Sequence, residues 1–142
     1  MLDVKIVPLN DEAKRDGLDA HRLLTDVELR LRRADVSLLV REEDDVAYPV
    51  LVVRVSTQKV ESLHVYLYSL QIDVVTILDP KWPCQPTKAK AGIPALIASI
   101  WSKGEFGSYP ISGLEKGIRA SLADLTDTFI NDYLATNSPA KR

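Results

Sequence analysis

The chain has 142 residues, the size of a single domain, and can bury a core without disulfides or metals. Apolar residues make up 46% and charged residues 27%, as in ordinary globular proteins. The formal net charge of -2 argues against a nucleic-acid partner held by phosphate neutralisation. No stretch approaches the ~18 apolar residues of a membrane span. A single cysteine, Cys84, excludes an internal disulfide.

The first third of the chain predicts a strand followed by a helix. DVKIVPLN, residues 3–10, alternates like a short strand, and NDEAKRDG forms a helical turn that Gly17 ends. Asp19 is a suitable N-cap for a longer helix, and Asp35 suits the left-handed position after it. The apolar residues between them share one helical face: Ala20, Leu23, Leu24, Val27, Leu31 and Ala34.

The middle of the chain is rich in strand patterns. VSLLV, residues 36–40, is a short β-rich segment. Residues 48–60 and 63–78 predict a long antiparallel hairpin with one face in the core. On the second strand that face carries Tyr66, Tyr68, Leu70, Ile72 and Val74. A further strand is expected to end at Trp101, with a glycine-spaced turn over residues 103–110.

A second amphipathic helix closes the predicted domain. Ser112 and Glu115 match a capping box, and Asn137 with the proline after it ends the pattern. Its core-facing stripe comprises Leu114, Ile118, Leu122, Leu125, Phe129 and Tyr133. We therefore expect one α+β domain over residues 1–137 and a disordered tail over 138–142. The predicted order is β-α-β-β-β-β-α, a two-layer sandwich with about five mostly antiparallel strands and both helices on one face.

No recognisable catalytic or metal-binding motif is present. His21 and His64 have no sequence partner that would make them bases, and Cys84 lies in the proline-rich segment 79–92. The acidic residues 42–45 lack the spacing of a calcium loop and fit a solvated turn better. The sequence thus predicts a protein that is not an enzyme and that needs no cofactor or metal.

Three apolar residues, Leu29, Ile130 and Leu134, lie off the predicted core stripes. Grouped exposed apolar residues are typical of a contact surface, so we predict that these bind a protein partner or a second copy. The alternative is that the segment 79–92 folds back over them. An exposed sheet edge is a further candidate for association.

A small-ligand site, in a binding protein or an enzyme, is the second functional hypothesis. It would lie between the sheet and the 79–92 loop. The aromatic residues that could line it are Tyr66, Tyr68, Trp82 and Trp101. Aromatic residues on strands more often belong to a core, so a deep pocket with converging polar groups is required for this hypothesis.

Several segments resemble a family of small bacterial exported proteins with no established activity. The matching segments are LLTDVELRLRRADV, LHVYLYSLQIDVVTIL, Trp101 with the glycines after it, and TFINDYLATN. The resemblance implies a periplasmic mature form whose signal peptide is not in the printed sequence; a cytoplasmic protein is the alternative. Family members usually have glycine at Asp35 and a shorter link in place of residues 79–92, so this chain departs from the family at both positions.

The order of elements is also similar, at the level of the fold alone, to the amino-terminal domain of TolB and related envelope lipoproteins. Those domains act as interaction modules, although fold similarity by itself is weak support for a function. Together with the empty catalytic search, this predicts a non-enzymatic interaction module of the bacterial envelope. Its partner would be an unknown envelope protein or a second copy of the chain.

Overall fold

The computed structural model describes residues 1–39, 49–78 and 96–137. Within these ranges the chain has an α+β fold of four strands and three α-helices. The strands are β1 (Asp3–Ile6), β2 (Val50–Val60), β3 (Val65–Leu78) and β4 (Leu96–Pro110). The helices are α1 (Asp11–Arg15), α2 (Ala20–Arg33) and α3 (Leu114–Asn137), with single 3-10 turns at Glu61–Leu63 and Ile111–Gly113.

The strands form one open mixed sheet in the order β1-β2-β3-β4. β1 runs parallel to β2, because α1 and α2 carry the chain from one to the other. β2, β3 and β4 are antiparallel neighbours, and a bulge shifts the β3–β4 register between Val74 and Val75. The predicted long hairpin is therefore confirmed, and β4 adds a third long strand beside it.

The start and end signals of α2 act as the sequence predicted. The Asp19 carboxylate accepts hydrogen bonds from the backbone N–H groups of His21 and Arg22, at 2.9 and 3.4 Å. Asp35 has φ 57°, the left-handed conformation that follows many helices. Gly17, with φ 100°, likewise ends the turn after α1.

The two faces of the sheet differ in burial. On β3, Tyr66, Leu70 and Ile72 are fully buried, whereas Leu67 and Ser69 point to the other face and are exposed. The buried side chains form one cluster with residues of all three α-helices, including Ala13, Leu23 and Ile118. We call the side covered by the helices the helix face and the opposite side, which carries Leu67 and Ser69, the open face.

The predicted sheet of about five strands differs from the described one, which has four strands among residues 1–39, 49–78 and 96–137. Residues 36–39 do not form a strand: Leu38 makes one isolated parallel bridge with Leu2. That bridge is held by hydrogen bonds from Leu2 N–H to the Ser37 carbonyl and from Leu39 N–H to the Leu2 carbonyl, both 2.9 Å. The segment therefore pairs with the chain before β1 at a single position and does not add a strand to the sheet.

The predicted turn over residues 103–110 is wrong, because β4 continues through it to Pro110. The glycines there serve close packing. A Cβ at Gly104 would lie 3.0 Å from the Leu70 carbonyl oxygen, and one at Gly107 would lie 3.1 Å from the Tyr68 ring. Glycine in a strand often marks such an approach, which from sequence alone is indistinguishable from a turn signal.

α3 begins at Leu114, so Ser112 belongs to the preceding 3-10 turn. Glu115, the other half of the predicted capping box, accepts a hydrogen bond from Arg22 of α2 at 2.9 Å. The predicted stripe of α3 is buried from Leu114 to Phe129, and the 24 residues of the helix cover β3 and β4. The predicted tail, 138–142, lies outside the described residues.

Candidate interaction surfaces

The open face carries an apolar patch that no described helix covers. Phe106 on β4 is 88% exposed, and Leu67 on β3 is 46% exposed. Phe106 pairs with Ser69, so Leu67 is its diagonal neighbour on the same face. The two side chains border a shallow depression of about 460 Å³ whose floor includes Ser56 and Ser69. We refer to Leu67 and Phe106 as the open-face patch.

Farther along the same face, Asp73 forms a buried polar group. Its side chain is 5% exposed and forms an ion pair with Arg54 on β2. Gln71 donates a hydrogen bond from Nε2 to Asp73 Oδ1 at 2.9 Å and contacts Ser102 Oγ at 3.2 Å. A buried carboxylate needs such partners, so this group satisfies its own charge and offers no free ligand.

A second surface lies between α2 and α3 on the outside of the molecule. This groove has a volume of about 890 Å³. Its walls are joined by three ion pairs: Arg22–Glu115 at 2.9 Å, Arg119–Asp26 at 2.6 Å and Arg30–Asp127 at 2.9 Å. The hydrogen bond from Arg119 to Asp26 raises the pKa of the Arg119 guanidinium. These pairs connect the two helices, which run parallel, and place charged side chains along the groove.

The predicted partner-binding residues are placed differently by the structure. Leu29 and Ile130 line the same groove, but Ile130 is only 9% exposed and belongs to the core cluster. The expectation that Ile130 is exposed is therefore wrong, because the neighbouring α2 covers it. Leu29 and Leu134 are each 43% exposed. The groove thus offers Leu29 as an apolar contact within a mainly charged surface.

Beneath α3, two predicted ligand-site aromatics are part of the packing. Tyr68 stacks on Tyr109 with ring centroids 4.8 Å apart, and Tyr109 shares a 2.6 Å hydrogen bond with Ser121 of α3. The Tyr68 hydroxyl donates to Glu105 at 3.0 Å. Burial, with the neighbouring Glu105 charge adding to it, raises the pKa of Tyr68 to about 12. Trp101 packs edge-on against Phe129, and its Nε1 donates to Asp132 at 2.9 Å.

Tyr66 lies two residues before Tyr68 on the same face of β3 and belongs to a second hydrogen-bonded group. Its hydroxyl donates to the carboxylate of Asp16, which also forms an ion pair with Lys59 at 3.0 Å. These hydrogen bonds, the one from Tyr66 first, lower the pKa of Asp16. The hydrogen bond to Asp16 raises the pKa of Lys59, and burial raises that of Tyr66. The group joins α1 to the hairpin and is internally satisfied.

The aromatic lining of the alternative ligand site is therefore not assembled by the described residues. Tyr66 and Tyr68 are packed in the core cluster with their hydroxyls bonded to different carboxylates, and Trp101 contacts α3. Trp82 and the whole segment 79–92 lie outside the described residues, so a ligand site that depends on them stays a prediction.

The two histidines, His21 and His64, are both exposed. His21 lies in the first turn of α2, and His64 has φ 51° in the hairpin turn, where its carbonyl accepts from Ile111 N–H at 3.2 Å. Among the described residues no group of three or more His, Cys, Asp or Glu side chains could hold a metal. Cys84 and the acidic residues 42–45 lie outside the described residues.

Sequence reasoning missed the open-face patch. The turn predicted over residues 103–110 includes Phe106 and hides its alternation with Lys103 and Glu105. Leu67 lies on the face of β3 opposite Tyr66 and Tyr68, and its own strand gives it no exposed aromatic neighbour there. Extending the period-two pattern through the two glycines places Phe106 on a strand, on the face opposite Lys103 and Glu105. The pairing of β3 with β4 then puts Phe106 and Leu67 on one face.

No protein-family model matches the chain, and a search of curated proteins found no significant match. No helix within the described ranges is long and apolar enough to cross a membrane.

Proposed function

We propose that this protein is a non-enzymatic interaction module of the bacterial cell envelope that binds a protein partner or a second copy of itself. The contact surface is the open face of the sheet together with its β4 edge. This surface replaces the groove between α2 and α3 as the leading candidate, because Ile130 is buried and ion pairs cross that groove.

The observation that supports the proposal is the exposure of Phe106. A phenylalanine that is 88% exposed costs free energy in water, since fully burying such a side chain is worth about 1.5–3 kcal/mol. Single exposed apolar residues are common, but Phe106 has Leu67 as its diagonal neighbour and lies on an edge strand. An edge strand beside an apolar patch is a frequent site of strand addition.

The envelope location rests on the resemblance to exported bacterial proteins. It is tested by expressing the natural gene with its own start in the source organism and separating the periplasmic fraction from the cytoplasm. Recovery with periplasmic markers is expected. Recovery with cytoplasmic markers alone would remove the envelope from the proposal and leave the interaction function untouched.

The interaction function is tested by comparing tagged wild-type chain with the double variant Leu67→Ser, Phe106→Ser in affinity capture from the envelope fraction. Both side chains are exposed, so we expect an unchanged unfolding midpoint for the variant and loss of the captured proteins. The matched control is Leu29→Ser on the helix groove, which has a similar exposure to Leu67. Equal capture by wild type and double variant, with loss in the Leu29 variant, would assign binding to the helices instead.

A further inference from the structure

β4 is the longest strand of the described sheet, with 15 residues, and it lies at the sheet edge. No described strand pairs with its outer side. The residues in its middle are exposed, among them Ser102, Lys103, Gly104 and Phe106. Natural proteins shorten or cover such edges to prevent unwanted pairing with other chains. The long β4 edge, which the described residues leave unpaired, therefore requires an explanation.

We propose that the outer edge of β4 pairs antiparallel with β4 of a second copy, with Gly104 opposite Gly104 of that copy. The inference rests on the interaction function proposed above and names its partner as the chain itself. The resulting sheet is continuous across both copies. Its twofold axis is perpendicular to the sheet, so the helices of both copies lie on the same side.

Charge complementarity selects this register. Lys103 and Glu105 both point to the helix face, since they pair with Ile72 and Leu70. With Gly104 at the centre, each Lys103 lies opposite Glu105 of the other copy. Centring the pairing on Lys103 or on Glu105 would place like charges opposite one another, which destabilises a strand pair. The Glu105 carboxylate also accepts a hydrogen bond from Tyr68 of β3 at 3.0 Å.

The open face of the same pairing is also complementary. Phe106 lies opposite Ser102 of the second copy, and the two Gly104 residues between the rings leave space above the backbone. Each phenyl ring can cover a glycine on the neighbouring strand, an arrangement that stabilises glycine within sheets. Pairing therefore covers part of the Phe106 ring, which is 88% exposed in the single chain.

The competing explanation is that Lys103 keeps other strands away from the edge. A lysine on an edge strand commonly has that role. Lys103 is exposed and makes no ion pair with the described residues, which fits either role. The two explanations differ in the state of the wild-type chain and in the effect of Lys103→Glu. Under the proposal the variant weakens a dimer, whereas under the guard explanation the chain is a monomer with either charge.

The test is sedimentation velocity of wild type and of two single variants, Lys103→Glu and Glu105→Lys, at low salt. We expect a dimer for wild type. Each single variant places like charges opposite one another twice and should weaken the dimer about tenfold or more. An equal mixture of the two variants should form heterodimers, because every opposed pair is then of opposite charge. Lys116→Glu, an exposed lysine of α3, is the charge-matched control and should dimerise like wild type.

A wild-type chain that stays monomeric at all concentrations would overturn the proposal. So would a dimer that both single variants preserve, or two monomeric variants that do not associate on mixing. Circular dichroism of each variant establishes that it is folded, since Glu105→Lys removes the hydrogen bond from Tyr68. None of these outcomes alters the capture experiment with Leu67 and Phe106, so self-pairing can fail while partner binding stands.

Discussion

Asp16 connects three elements through one carboxylate. It lies at the carboxyl end of α1 and accepts from Tyr66 on β3 while pairing with Lys59 on β2. Because both partners favour the charged form, the pKa of Asp16 in the folded chain is below its ordinary value of 3.8. Its stabilising contribution is therefore present above that value and is lost as the pH falls through the lower folded pKa.

Asp16→Asn should consequently destabilise the protein near neutral pH and have progressively less effect as the pH falls below 3.8. The measurement is the urea midpoint of wild type and variant near neutrality and at about pH 3. Asp11→Asn is the control, because the Asp11 side chain is 84% exposed and its ion pair among the described residues is with Lys14, at 3.6 Å. A midpoint difference that is the same at both pH values would contradict the assigned role of the charge.

At the scale of elements, α3 and β4 contact closely at Gly117. A Cβ on Gly117 would lie 2.5–2.6 Å from ring atoms of Tyr109, well inside van der Waals contact. The Tyr109 ring is held between its stack on Tyr68 and its hydrogen bond to Ser121, so it has little freedom to move. Glycine is thus required here for packing, at a position where it weakens the helix.

Gly117→Ala should therefore destabilise the protein, although alanine is the better helix former. The gain in helix propensity is about 1 kcal/mol, and overpacking costs about 1–3 kcal/mol, so a net loss of up to about 2 kcal/mol is expected. Urea unfolding measures it. Gly113→Ala is the matched control, since its Cβ would meet only Pro110 Cδ at 3.8 Å. Increased stability of the Gly117 variant would contradict this, because it would mean that the Tyr109 ring can move away from the added Cβ at little cost.

The elements that sequence predicts well are those specified by local signals. The cap at Asp19, the left-handed Asp35 and the alternation from Tyr66 to Val74 all depend on neighbouring residues, and the structure confirms them. The errors depend on distant residues. Gly104 and Gly107 have their roles because of β3, which is separated from them by about 30 residues of chain and invisible to a local pattern. Ile130 is buried by α2 for the same reason.

At the scale of the whole molecule, one apolar cluster connects the described elements. It includes residues from Leu2 before β1 to Ile130 on α3. The open-face patch lies outside it on one side of the sheet, and the charged groove lies on the outer side of the helices, where it meets the cluster at Ile130. The sequence indicated that apolar residues would remain exposed, but only the strand register identifies which of them share a face.

A single cluster implies a single cooperative unfolding transition. Trp101 is a suitable probe, because its ring contacts Phe129 and its Nε1 donates to Asp132, so it reports whether α3 is docked on β4. In a Trp82→Phe background Trp101 is the sole tryptophan of the chain. Its fluorescence and the far-ultraviolet circular dichroism should change at the same urea concentration. A fluorescence transition at lower urea would mean that α3 leaves the sheet before the hairpin unfolds. The helix face of β4 would then be exposed in a partly folded state, in addition to the outer edge that no described strand pairs with in the native state.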